Sequence, residues 1–177
     1  IKMEVSRNIE PRDGFLEDVR KIATDNNIVL IFDECTSGFR ETFGGLHKKY
    51  GVDPDMAVFS KALGNGYAIS AVIGIQEVME ATQSTFISST FWTERIGPTA
   101  ALKTLAIMER EKSWEQITKV GKKIGNRWKK LANNYDLPIE ISRIPALVNF
   151  NIPVKNWLKY KTLITQEMLK QKMLASN

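Results

Sequence analysis

Two rhythms of apolar and polar residues run through the first part of this chain. Phe15, Val19, Ile22 and Ala23 recur at the spacing of one helix face, and Asp13 stands where an N-cap belongs, which predicts a helix from about Gly14 to Asn26. From Ile28 to Phe32 every residue is apolar, as in a strand covered on both faces of a parallel sheet. A polar, glycine-rich stretch follows to Pro54, then a short strand over 56–59, a turn containing Lys61, and a strand over about 70–75. A helix is expected after Gln76 through Met79 to Ala81, and another from about Glu94 to Glu111 beyond the Ser- and Thr-rich run 86–93. Ser113 and Gln116 form a capping-box pattern at the head of a long helix reaching Asn133. After Pro138, 139–142 and 146–152 read as strands and 157–172 as an amphipathic helix. The alternation of helix and buried strand is α/β, with residues 1–136 expected in one domain and 137–177 beginning a second, smaller one.

Composition narrows the class. Across 177 residues, 43% hydrophobic and 25% charged residues are those of a globular chain that can bury a core. No apolar run approaches the ~20 residues a membrane helix needs, so no membrane association is expected. Cys35 is the single cysteine. It forbids an internal disulfide or cysteine metal cluster, and with the lack of a signal-peptide pattern it points to the cytoplasm. The net charge of +5 raises the question of nucleic acid. Much of the excess, however, lies at Lys119, Lys122, Lys123, Arg127, Lys129 and Lys130, opposite Ile117, Val120, Ile124, Trp128 and Leu131. That is a solvated helix face, and no nucleic-acid module accompanies it.

The chemistry lies at the strand ends. Lys61 follows the run Asp55 to Ser60 and precedes Ala62-Leu63-Gly64-Asn65-Gly66, which places an amine in a flexible turn. Asp33 and Glu34 end the earlier apolar run. A lysine after a strand is ordinarily a solvated loop residue, and an aspartate there is ordinarily a cap. Together an amine and a carboxylate suit pyridoxal phosphate: the lysine forms a Schiff base with its aldehyde and the carboxylate keeps its ring nitrogen protonated.

The segments IVLIFDECTSGFRETFGG and DPDMAVFSKALGNG resemble the class III (subgroup II) pyridoxal-phosphate aminotransferases of fold type I. The flavour of FDE, GFR and ETFGG is nearest the glutamate-1-semialdehyde aminomutase-like branch. The resemblance implies part of the large mixed-sheet cofactor domain plus the start of a small α+β C-terminal domain. It also implies amino transfer between a small-molecule amino donor and a carbonyl acceptor, with an intramolecular aminomutase reaction and a silent cofactor-fold binding protein as alternatives. Lys61 and Asp33 take the catalytic roles. Cys35 occupies a position where the family commonly packs a valine on the ring, and Thr36 one that approaches the cofactor's phenolic oxygen, or is a plain turn residue.

Ser88-Ser89-Thr90-Phe91 is similar to a family element in which the threonine reaches the phosphate in the neighbouring subunit, which implies a homodimer with Ser89 and Thr90 near the partner's cofactor; an ordinary turn before the next helix is the alternative. Trp92, Thr93, Glu94 and Arg95 depart from the usual residues there. Glu34 is expected close to the site, Arg40 in a structural role, and His47, in Leu46-His47-Lys48-Lys49-Tyr50, on a polar surface. No metal is expected. Both ends of the chain read as cut, with the phosphate-cradling loop outside it.

Overall fold

A computed structural model describes residues 1, 3, 11–88, 90–142 and 144–174. The chain forms two compact units, Ile1–Thr118 and the residues from Lys119 onward.

The first unit opens with α1 (Phe15–Asp25), and then the chain runs into β1 (Ile31–Asp33), β2 (Met56–Phe59) and β3 (Ala71–Gly74). The sheet order is β1-β2-β3, with β1 and β2 parallel and β3 antiparallel to β2. On its other side β1 meets the chain start: Met3 N donates to Asp33 O at 3.0 Å, and Asp33 N to Ile1 O at 2.7 Å.

The helix and the later strands are near where their patterns place them, but β1 begins at Ile31 and not at Ile28, and the buried faces differ. Leu16, Val19 and Ala23 carry α1 into a core with Leu30, Phe32 and Val52, while Phe15 and Ile22 are exposed. Val19 and Ala23 thus face inward as expected, while Leu16 takes the place expected of Phe15. The helix starts from Gly14, whose φ of 79° suits glycine, and Asp13 makes no side-chain cap. The apolar run 28–32 is not covered on both faces either: Phe32 is fully buried, but Ile31 is 42% exposed and Ile28 and Val29 are also open.

Asp55 ties these elements together. Its Oδ2 accepts from Leu30 N at 2.7 Å and lies 2.9 Å from the Arg20 guanidinium on α1. Burial alone would raise the Asp55 carboxyl, but the Leu30 and Arg20 hydrogen bonds outweigh it and hold the carboxyl below its ordinary range.

After β3 come α2 (Gln76–Met79) and α3 (Ile96–Glu111), and Ala101 of α3 packs with Ala57, Phe59 and Leu63. Lys112, at φ 47°, turns the chain straight into α4 (Ser113–Asn134), so Ser113 is already helical and the capping box does not form. Gln116 instead donates to Glu111 O at 2.9 Å, and among the described residues the buried Ser113 Oγ has no partner.

In the second unit β4 (Glu140–Ile141) pairs antiparallel with β5 (Phe150–Asn151), and α5 (Trp157–Lys170) follows. Trp128 stacks edge-on against Phe150, with centroids 5.1 Å apart. Gly121 allows the close approach of α4 to the following loop, since a Cβ there would lie 1.8 Å from Pro145 O.

Candidate active site

Parallel pairing sets the site. In the β1-β2 ladder Asp33 stands opposite Val58, and Glu34 N continues it by donating to Val58 O at 2.8 Å. Lys61 follows Val58 by three residues, so the carboxylate and the amine emerge at the carboxyl ends of neighbouring strands, which lie about 4.8 Å apart in any sheet. Ligands of open α/β sheets bind at that edge.

Beyond β1 the chain turns tightly. Cys35 N donates to Asp33 Oδ1 at 3.0 Å, and Gly38 N to Glu34 O at 2.8 Å. Thr36, half-buried inside this turn, presents Oγ1 to Lys61 Nζ at 2.5 Å. Lys61 has a φ of 39°, left-handed backbone that costs a non-glycine residue roughly 1–2 kcal/mol. The cost is borne within a hydrogen-bonded turn: Leu63 N donates to Ser60 O and Asn65 N to Lys61 O. Strain of this kind collects where a side chain must be aimed.

The structure therefore brings Asp33, Cys35, Thr36 and Lys61 together. Arg40 joins through Nε, which donates to Thr36 O at 3.3 Å, and partial burial lowers its guanidinium pKa. Thr90 is exposed and, among the described residues, shares no hydrogen bond with this group. Ser89 lies outside the described residues.

His47 departs from expectation. It is buried, not on a polar surface, and its Nδ1 lies 2.9 Å from Glu34 Oε1, which also accepts from His47 N at 3.0 Å. Ser37 Oγ donates to Glu34 Oε2. Burial alone would raise the Glu34 carboxyl; hydrogen bonds from the His47 side chain, Ser37, and the backbone of His47 and Leu46 outweigh it, so it lies below its ordinary range. Glu34 thus spends its carboxylate on the protein interior rather than on Lys61. The sequence signal for this network was faint: one histidine, two residues after the pair Gly44-Gly45. A Cβ on Gly45 would lie 2.2 Å from the imidazole.

Across residues 8–171 the sequence matches the aminotransferase class-III family, and the chain belongs to that family. It is 37% identical over 157 residues to a 3-aminobutyryl-CoA aminotransferase of Cloacimonas acidaminovorans (strain Evry), covering 88% of this chain and 38% of that protein. To a glutamate-1-semialdehyde 2,1-aminomutase of Methanococcus maripaludis it is 34% identical over 148 residues, covering 81% of this chain and 34% of that protein. The chain spans less than two fifths of the length of these curated relatives.

Among solved structures, the Sphingopyxis sp. MTA144 FumI protein in its PLP internal aldimine form superposes with a TM-score of 0.87 at 20% identity, over 93% of this chain and 40% of that one. An omega-transaminase from Sphaerobacter thermophilus gives 0.85 at 19% identity, over 95% and 42%. The fold is that of part of a fold-type I transferase.

Proposed function

We propose that the complete protein transfers an amino group between a small amine or amino acid and a carbonyl acceptor, using pyridoxal 5′-phosphate attached through Lys61. One observation carries this reading: the in-register ends of two parallel strands deliver a carboxylate and an amine to one sheet edge, with a hydroxyl 2.5 Å from the amine. The donor set fits the cofactor. An aldehyde takes an amine, a pyridine nitrogen takes a carboxylate, and a phenolic oxygen takes a hydroxyl.

Asp33 would hold a proton on the ring nitrogen by ion pairing. Lys61 Nζ, released when the substrate amine replaces it, would take the proton from the substrate Cα as general base and return it as general acid. Thr36 would keep Nζ oriented between these steps, and Cys35 would fill the space beside the ring as a small apolar group. When bound there, the cofactor supplies an electron sink that weakens the substrate Cα–H bond.

Intramolecular transfer of the aminomutase kind would use the same residues, and the likeness to the Methanococcus maripaludis aminomutase favours it as the second reading. We assign residues 1–136 to the large cofactor domain and 137–177 to the start of the small one. A homodimer placing Ser89 and Thr90 near the partner's cofactor phosphate is supported by the exposure of Phe86, Ile87, Phe91 and Trp92 around them. Among the described residues no helix is long and apolar enough to cross a membrane, and a cytoplasmic location belongs to the same proposal.

The test is borohydride reduction of the full-length protein with pyridoxal phosphate, followed by peptide mapping. The pyridoxyl group is expected on Lys61. A label on another lysine would overturn the assignment.

A further inference from the structure

Glu34 and His47 lie thirteen residues apart in sequence and are buried together. Neither bonds to Lys61 among the described residues. A solvent-excluded carboxylate is costly unless its lone pairs are filled, and apolar residues of like volume often stabilise a core as well or better. A buried charge here can serve more than bulk stability, and the bonding pattern indicates what.

Glu34 is the first residue of the turn that follows β1. Its Oε2 accepts from Ser37, its own carbonyl accepts from Gly38 N at 2.8 Å, and its Oε1 is held by the backbone and ring of His47. The carboxylate therefore grips both ends of the 34–37 segment and anchors it to a second loop. Cys35 and Thr36 are enclosed between the two grips. The anchor itself has little play: the His47 ring rests against Phe32 with centroids 5.7 Å apart, and Gly45 leaves no room for a side chain beside the imidazole.

We propose that Glu34 is a positioning residue for amino transfer: with Ser37 and His47 it clamps the 34–37 turn, so that Thr36 Oγ1 holds the Lys61 amine at the edge where Asp33 emerges. The proposal rests on the functional reading above in taking Lys61 as the reactive amine. It goes further by assigning the signature glutamate to geometry rather than to substrate or cofactor contact.

The experiment is competitive acetylation of the full chain without cofactor, using trace acetic anhydride and mass spectrometry, with Lys103 and Lys159 as internal references. Glu34→Gln keeps the shape but weakens the grip. It should raise the labelling of Lys61 relative to the references by about three- to tenfold, the scale of losing one ordinary hydrogen bond. Ser37→Ala should move the ratio the same way by a smaller factor, and is the deciding variant if Glu34→Gln does not fold. Ala132→Gly, which loosens α4 in the other compact unit, should leave the ratio unchanged and so separates positioning from general destabilisation. An unchanged Lys61 ratio in the folded clamp variants overturns the proposal. Reduction of the wild-type protein with pyridoxal phosphate runs in parallel: a label elsewhere than Lys61 would sink the functional reading while leaving the clamp result standing.

Discussion

Residues 33–47 and residues 86–96 were both singled out by sequence motifs, yet they are built in opposite ways. In the first, polar groups bond one another within the chain: buried Glu34 is held by Ser37 and His47, Asp33 accepts from Cys35 N, and Lys61 donates to Thr36. In the second, large apolar side chains face outward, with Phe86 91% and Trp92 67% exposed, and Thr90 among them is exposed too. A buried, satisfied polar network is self-sufficient and specifies one geometry. A cluster of exposed aromatics at a turn has its energy still to gain from another surface. The first region holds its geometry through bonds within the chain, whereas the second leaves its aromatic surface open, which is what the proposed homodimer would cover.

The largest test of that contrast is Glu34→Ala. Removing one member of a buried, hydrogen-bonded set should cost about 3–5 kcal/mol by urea denaturation; a cost below 1 kcal/mol would mean that the network is not closed. Next, Lys61→Gly should lower amino transfer by the complete protein at least ~100-fold, the scale of a lost general acid and base. It should also stabilise the fold by roughly 1 kcal/mol, since glycine tolerates the φ of 39°. Loss of both activity and stability would contradict a strained, aimed lysine.

Thr90→Ala should leave folding stability within about 0.5 kcal/mol, as at any exposed site. It should nonetheless weaken cofactor retention in the assembled protein by roughly 1.5–3 kcal/mol, measured by equilibrium dialysis. The smallest effect concerns pH. The folded Glu34 carboxyl titrates below its ordinary value of 4.5, so as pH falls the unfolded chain takes up the proton first. The stability this group contributes is complete above that value and is lost as pH drops through the folded pKa. Urea midpoints of the wild type should therefore fall between pH 5 and about pH 3 more steeply than those of Glu34→Gln.

Much of the fold was legible because it follows from local periodicity. The strand over 56–59, the two long helices and the turn at Lys61 lie where their patterns put them. Asp33 and Lys61 were legible as a pair because each ends an apolar run. What escaped the reading depends on contacts distant in sequence. His47 sits among lysines and reads as surface, but its burial is decided by Glu34 and by the missing side chain at Gly45. On α1 the pattern finds Val19 and Ala23 but not Leu16, which packs with Leu30 and Phe32 from outside the helix, and Lys112 pre-empts the capping box by turning the chain one residue early. Cys35 and Thr36 were readable only through resemblance, because nothing local distinguishes them from any turn.

Asp55 stands at the start of β2, at the opposite end of the strand from Lys61, yet it governs where the carboxyl edge falls. By bonding Leu30 N while its own backbone N–H donates to Leu30 O, it marks the zero point from which both parallel strands are counted. Side chains in a strand alternate faces, so a slip of one residue here would carry the Asp33 carboxylate to the opposite side of the sheet from its partner. The relation between Asp33 and Lys61 is thus metered at the beginning of the strands. An error there during folding would leave Asp33 and Lys61 both in the chain but on opposite faces of the sheet.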